Sequence, residues 1–325
     1  MIKIEKSWRA MGTTNRLTLF GTADERAIDD AIHFVNDYEK ILTVNRPQST
    51  IMAINQAAGQ KPVTVSATVY QLIKRAVYES NQHFGFNVAI GPLVKLWHIG
   101  FSDAQVPSHT AIEHARRQIR SDGIVLDDDK LSVYLPQKGM SLDLGAIAKG
   151  YIADRLQDYW RAQGYIAGII NFGGNVVLMN DAPNHVSGRW RIGIRNPLVQ
   201  HGDTIALIET KAMSVVTSGV AERHLVSNGH VYHHIIDPET GYPHDNDLAS
   251  VTVLSPKSID GEIETTRLFF NDGPPDNSDY PFGAIFIYRD QSIKLINIQS
   301  SDFHIINQSF YIRETMTYGR SNSIK

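Results

Sequence analysis

The run at residues 141–154, SLDLGAIAKGYIAD, constrains the fold more than any other stretch, because its character changes once, at a glycine. Residues 140–144 alternate apolar and polar side chains around Asp143, which predicts a short strand. Gly145 permits a tight turn. Ile147, Tyr151, Ile152 and Leu156 then recur at near i, i+4 spacing, which predicts a helix over 146–156 and beyond with one buried face. A helix start is a natural anion site, since its first N–H groups lack intrahelical partners and its dipole end is positive, and Lys149 adds a cation in the first turn. The same pattern also suits an ordinary strand-to-helix connection whose lysine is solvated.

Composition narrows the classes. At 325 residues and 42% hydrophobic, the chain suits one large or two ordinary domains with a real core. A net charge of −3 without a dense Lys/Arg run gives no reason to propose nucleic acid. There are no cysteines, so disulfides, thiolate zinc sites and a Cys nucleophile are excluded, and any metal must be held by oxygen or histidine. The N-terminus MIKIEKSWRAMGTT has no apolar h-region, and no window approaches a membrane span; the expectation is a cytoplasmic protein with no membrane partner. Neither a dinucleotide-binding glycine fingerprint nor a Walker A lysine motif is present, which disfavours a hydride-transferring enzyme.

Along the chain, two strands to residue 20 are broken at Met11-Gly12-Thr13, and a helix is predicted over 23–42. Ser49 can cap a short helix through 55, and Ser66 a longer one over 66–84 that ends at Gly85. An apolar segment, 86–97, is interrupted by Gly91-Pro92; a helix near 111–118 and strands near 124–126 and 132–134 follow. Further strands are predicted at 166–171, 190–195, 212–216 ending in Thr217-Ser218-Gly219, and 231–236 leading into the turn DPETGYP. Another strand at 250–254, a helix over 261–270 and strand-like runs at 284–288 and 293–298 complete an α+β pattern with mixed or antiparallel sheets and packed helices.

Met11-Gly12-Thr13, the 84–97 segment, LDLGAIAKGYIAD, NFGGN, TSG and HIIDPETGYP occur in this order, and together they resemble the ApbE-type flavin transferases (FAD:protein FMN transferases) over roughly residues 5–270. The resemblance implies an ApbE-like, T-fold-related core. It places a transferase domain at 1–274, for which two α/β lobes with an FAD cleft between them is one arrangement; the strand-like runs beyond the resemblance read as a C-terminal extension at 275–325 packed on the same domain. It implies that FAD is bound, its pyrophosphate cut, and the FMN half passed to a Thr or Ser hydroxyl of an acceptor flavoprotein, releasing AMP. Phosphoryl transfer is mostly positioning and charge stabilisation, and a hard oxygen site suits Mg2+.

The resemblance also carries residues over. It assigns the metal to the backbone carbonyl of Ala146 and to Glu262 and Thr266, which share a helix face. Glu262 departs from the family's Asp, and the extra methylene moves its carboxylate by about 1.5 Å. Glu262 and Glu264 also read as a solvated acidic pair at a helix start. To the nucleotide it assigns Met11, Asn45 where many members carry an aromatic, Gly85, Phe86, Asn87 in place of the usual Asp, Asp143 as an acceptor, Lys149 on phosphate, Thr217, Ser218, Gly219 and Ile235. His234 is the expected general base, histidine ordinarily titrating near neutrality, with Asp237 orienting it. Asp237 reads equally as a turn former. A Mg-dependent FAD pyrophosphatase giving FMN and AMP, and a non-catalytic FAD-binding module, are the alternative readings.

Overall fold

In the computed structural model, which describes residues 1–199, 202–221, 223–274 and 279–318, the chain opens on a hairpin. Strands β1 (Lys3–Ala10) and β2 (Thr13–Phe20) pair with Ala10 opposite Thr13, so the turn is only Met11-Gly12. Both turn residues lie at positive φ, +53° and +72°, as a two-residue turn matched to strand twist requires. Helix α1 (Arg26–Leu42) and α2 (Thr50–Gln56) follow, the latter capped as predicted by Ser49 Oγ accepting from the Met52 N–H. After β3 (Val63–Thr64), helix α3 (Ala67–Ser80) is capped by Ser66. It stops short of the predicted end because the Ser80 hydroxyl donates to the Ala76 carbonyl and accepts from the Val88 N–H, turning the chain away.

The apolar segment at 86–97 contains α4 (Gly91–Trp97), with Pro92 in the first turn where a missing N–H costs nothing. Next come α5 (His109–Arg116), β4 (Val125–Asp127), β5 (Ser132–Tyr134) and α6 (Ala148–Ala162). Strands β6 (Ala167–Phe172) and β7 (Asn175–Met179) are joined by Gly173-Gly174 at φ +61° and +98°, so that glycine pair is a hairpin turn. The chain continues through β8 (Trp190–Arg195), β9 (Thr204–Thr210), β10 (Ser214–Gly219), β11 (His224–Ser227), β12 (His230–His233) and β13 (Leu248–Ser255). It closes with α7 (Ser258–Asn271), β14 (Gly283–Tyr288), β15 (Ser292–Ile296), β16 (Phe303–Ile305) and β17 (Tyr311–Met316). No helix among the described residues is long and apolar enough to cross a membrane.

The chain divides into two compact units, each built from separated segments. Unit 1 is Met1–Asn36, Lys149–Glu222 and Asn246–Lys325. Its nine-stranded sheet runs β1-β2-β6-β7-β10-β13-β14-β15-β17, antiparallel except for the β15–β17 pair. A second sheet, β16-β9-β8, shares an apolar core with it that includes Phe20, Leu178, Trp190, Ile208, Ile285 and Leu295. Helix α7 packs on β10 and β13, so closely that a Cβ on Gly261 would lie 2.6 Å from Val216. The mixed sheet and packed helices make the fold α+β. The boundary expected between 274 and 275 runs into residues 275–278, which lie outside the described ones; from Gly283 onward β14, β15 and β17 are members of the nine-stranded sheet.

Unit 2 is Asp37–Ala148 and Arg223–Asp245. It holds the sheet β3-β5-β4, the β11-β12 hairpin, and a core of Leu93, Trp97, Ile112 and Ile236. The buried Trp97 Nε1–H donates to the Gly241 carbonyl at 2.8 Å, tying the DPETGYP turn to that core.

The strand predicted at 140–144 does not form. Ser141 makes only an isolated bridge to Ile90, and the Asp143 N–H donates to the Val88 carbonyl at 2.8 Å. Leu142 is served by a side chain instead of a strand. Its N–H donates to Asn55 Oδ1 at 2.7 Å, and Asn55 Nδ2 donates to its carbonyl at 3.0 Å. Helix α6 starts at Ala148, later than predicted, because Asp143 Oδ1 accepts from the Gly145 N–H (2.7 Å) and the Leu144 carbonyl accepts from Ile147 and Ala148 (3.0 and 2.8 Å). Three N–H groups that the sequence pattern offers to an anion are therefore bonded inside the turn.

Burial pushes the half-buried Asp143 carboxyl above its ordinary pKa, with the Gly145 N–H and the Arg223 charge pulling the other way. A raised folded-state pKa contributes stability below the unfolded value, and that contribution is lost as pH rises. Asp143→Asn keeps the acceptor for Gly145 and should raise the melting temperature at pH 7 by a few degrees, the gain vanishing toward pH of about 4; calorimetry at the two pH values checks this. Asn55→Ala strands both Leu142 backbone groups and should cost about 1–3 kcal/mol in urea unfolding.

Candidate functional site

Within unit 1 the start of α6 lies directly against α7. A Cβ on Gly150 would come within 2.6 Å of the Ser258 carbonyl and 2.8 Å of Glu262 Cγ, so only glycine permits the approach. Farther along α6, Asp154 accepts from the N–H groups of Ser258 (2.8 Å) and Ile259 (3.0 Å), capping a helix whose own N-cap, Lys257, makes no side-chain cap bond. Asn175, at the start of β7, donates Nδ2–H to Glu262 Oε1 at 2.8 Å and accepts from the Ser258 hydroxyl at 2.6 Å. Lys149 Nζ stands 3.2 Å from the same Glu262 oxygen.

Glu262 is 5% exposed. It is the fifth residue of α7, not its start, and the reading of Glu262 as a solvated helix-start charge is corrected by that burial. A buried carboxylate persists only when it is paired and hydrogen-bonded, and Lys149 and Asn175 supply both. Glu264 is half-buried and bonds Arg267 at 3.0 Å. Thr266, one turn beyond Glu262, donates its hydroxyl to the Glu262 carbonyl at 3.3 Å. No cluster of three or more His, Asp or Glu able to hold a metal forms among the described residues. Glu262 Oε2, which makes no hydrogen bond among those residues, and the lone pairs of Thr266 Oγ1 are hard oxygen donors. That set fits a cation such as Mg2+, which takes few protein ligands and retains water.

Thr217, Ser218 and Gly219 lie inside β10 and not beyond its end. Thr217 Oγ1 shares a 2.9 Å hydrogen bond with Thr252 Oγ1. Ser218 Oγ donates to Thr265 Oγ1 at 2.9 Å, and Thr265 donates to the Glu262 carbonyl at 3.0 Å. Met11 sits half-buried in the first hairpin turn.

The remaining residues singled out by sequence belong to unit 2. Asn45 and Ala146 are exposed, and Gly85 holds φ +98°. Phe86 is 4% exposed and stacks on Phe84, so its ring belongs to the core. Asn87 Nδ2 donates to the Ile119 carbonyl at 2.9 Å while Oδ1 accepts from the Ala89 N–H at 2.8 Å. An aspartate could not make the first of these bonds, which gives the departure at position 87 a structural cause.

His234 is half-buried; its N–H donates to the Arg223 carbonyl at 3.2 Å and its Nδ1 faces that oxygen at 3.3 Å. A carbonyl only accepts, so this contact calls for a proton on Nδ1, the tautomer in which Nε2 is the accepting nitrogen. His233, the last residue of β12, is buried with Nε2 2.8 Å from the His244 carbonyl. Asp237 does not orient His234. Its Oδ1 accepts from the Glu239 N–H at 2.7 Å and its Oδ2 lies 3.3 Å from His244 Nδ1, because the DPETGYP turn brings His244 back over it. Ile235 closes that turn, its carbonyl accepting from the His244 N–H at 2.9 Å. The sequence reading missed His244 and Ser258 and gave Asp154 and Asn175 no role; for Asn175 the signal was its place at the end of NFGGN, three residues after a buried strand.

The model of the ApbE family matches residues 11–275. The FAD:protein FMN transferase of Klebsiella pneumoniae (strain 342) is 46% identical over 260 residues, 80% of this chain and 79% of that protein. The transferase of the same name from Treponema pallidum (strain Nichols) is 36% identical over 255 residues, 75% of this chain and 70% of the relative. Among solved structures, the ApbE protein of Thermotoga maritima superposes with a TM-score of 0.79 at 26% identity, covering 88% of this chain and 94% of its own. The flavin transferase ApbE of Vibrio cholerae shares the fold with a TM-score of 0.75 at 22% identity, covering 95% and 98%. Matched by the family model over most of its length and by relatives of this similarity, the chain belongs to the ApbE family.

Proposed function

We propose that this chain transfers the FMN moiety of FAD to a Thr or Ser hydroxyl of an acceptor flavoprotein, releasing AMP, in a reaction that depends on Mg2+. The observation that carries the reading is the 3.2 Å ion pair within unit 1 between Lys149, at the start of α6, and the buried Glu262 of α7, a helix carrying a carboxylate and a hydroxyl one turn apart. The names of the relatives, FAD:protein FMN transferase, support flavin transfer.

In this reading, within unit 1 Lys149 pairs with diphosphate charge and Met11, Thr217, Ser218 and Gly219 are nucleotide-binding residues; within unit 2 Asp143 accepts from the nucleotide and Asn45, Gly85, Phe86, Asn87 and Ile235 are its nucleotide-binding residues. His234 Nε2 takes the proton of the acceptor hydroxyl. The hydroxyl oxygen then bonds the FMN phosphorus, the pyrophosphate P–O bond breaks, and the AMP phosphate leaves with the electron pair. Asp237 acts on the turn and on His244. In unit 1, Glu262 and Thr266 would hold Mg2+, which when bound neutralises charge on the diphosphate.

The test is incubation with FAD, Mg2+ and a candidate acceptor domain, read by mass spectrometry. Covalent FMN on the acceptor supports transfer; free FMN and AMP would mean that water is the nucleophile, and intact, tightly held FAD would mean a binding module. His234→Ala should slow transfer by about 10²-fold or more while retaining FAD, and full transfer by that variant removes His234 from the base role. Glu262→Gln, equal in shape without the charge, should raise the Mg2+ concentration for half-maximal rate at least about tenfold; an unchanged metal titration assigns Glu262 to structure alone.

A further inference from the structure

We propose that Asp154 and Asn175 are positioning residues for the Glu262 carboxylate, acting together through Ser258. The inference rests on the reading of Glu262 as a metal-holding group. Ser258 is fully buried and is held from two directions: its N–H donates to Asp154 and its hydroxyl to Asn175. The Asp154 bonds to two successive N–H groups at the start of α7 fix both the axial position and the rotation of that helix. The position of Glu262 and Thr266 along the helix face follows from that rotation. Asn175 then fixes the side chain itself. Its Nδ2 holds Oε1, and Lys149 holds the same atom, so Oε2 is the oxygen left without a hydrogen bond among the described residues.

A glutamate side chain has several rotatable bonds, and freezing them requires a fixed partner. Asn175 has both ends of its amide spent within this set, 1% exposed, with Asp154 at 3%. A cap serving only helix stability would need Asp154 alone; the link through Ser258 to the amide that grips Glu262 has no such purpose. Groups behind a ligand set orientation and typically change metal affinity by 10–100-fold when removed.

Asn175→Ala, Ser258→Ala and Asp154→Asn in the full chain test this by Mn2+ titration with FAD present and no acceptor, read from the EPR signal of free Mn2+, alongside the Mg2+ and FAD dependence of transfer. Asn175→Ala and Asp154→Asn should each weaken Mn2+ about tenfold or more and raise the Mg2+ requirement, with kcat at saturating Mg2+ and FAD affinity near wild type, and Ser258→Ala should fall between. A lower melting temperature with Mn2+ affinity unchanged overturns the inference while leaving the reading of Glu262 standing. Absence of Mn2+ binding by the wild type overturns both. Should Asp154→Asn fail to fold, Asn175→Ala and Ser258→Ala, which leave the cap bonds intact, decide the outcome.

Discussion

A carboxylate taken out of water has to be compensated where it lies, and much of unit 1 around Glu262 follows from that requirement. The compensation comes from three sequence-distant elements: the ammonium of Lys149 at the start of α6, the amide of Asn175 on β7, and the α7 helix that carries Glu262 itself. For those groups to meet, α6 must reach α7 at backbone distance, which Gly150 permits, and α7 must start at a fixed height, which Asp154 sets. The nine-stranded sheet is the frame that holds these parts. Strand β7 pairs with β10, β10 with β13, and α7 packs on the last two.

Unit 2 meets its requirements by a different device. Its informative segments, 83–90, 140–148 and 234–244, are irregular, and side chains take over the pairing that strands would otherwise provide. Asn55 brackets Leu142, Asn87 bridges Ile119 and Ala89, Asp143 closes its own turn, and Asp237 does the same while meeting His244. Short Asn and Asp side chains suit this because they imitate a backbone amide or carbonyl. A loop so braced is held in one conformation without belonging to a sheet, and function is commonly carried on such loops.

The contrast explains what could be read from the sequence. Caps were legible where the signal is local: Ser49 and Ser66 bond N–H groups three residues ahead, and both do so here. Periodicity located α1, α3 and strand β8 because burial of one face leaves a repeating mark. The strand expected at 140–144 failed because alternation reports that one side is buried, not that a neighbouring strand exists; the partner turned out to be Asn55, eighty-seven positions away. In the same way the sequence offered Asp237 to His234 by proximity along the chain, whereas the turn chemistry it also announced folds the carboxylate onto His244. Lys149 and Glu262 were both marked as site residues, yet nothing local tells that they touch each other. The roles of Asn175 and Ser258 were not legible, since a buried amide and hydroxyl matter only through partners that pairing of β7, β10 and β13 brings near.

Asn87 and Glu262, the two positions where the resemblance leads to an expected aspartate, differ in kind, and burial separates them. Asn87 spends its amide nitrogen on the Ile119 carbonyl, a bond that an aspartate would turn into a repulsion between two acceptors; the substitution is thus explained within unit 2 without reference to any ligand. Glu262 has no such local explanation, because an aspartate on α7 would be set back from both Asn175 and Lys149 by about a bond length. Its extra methylene is what lets one oxygen reach the β7 amide and the α6 lysine at 2.8 and 3.2 Å. The longer side chain therefore comes with the partners that restrain it, so Glu262, Asn175 and Lys149 form one unit, and a change at any of the three alters what the other two hold.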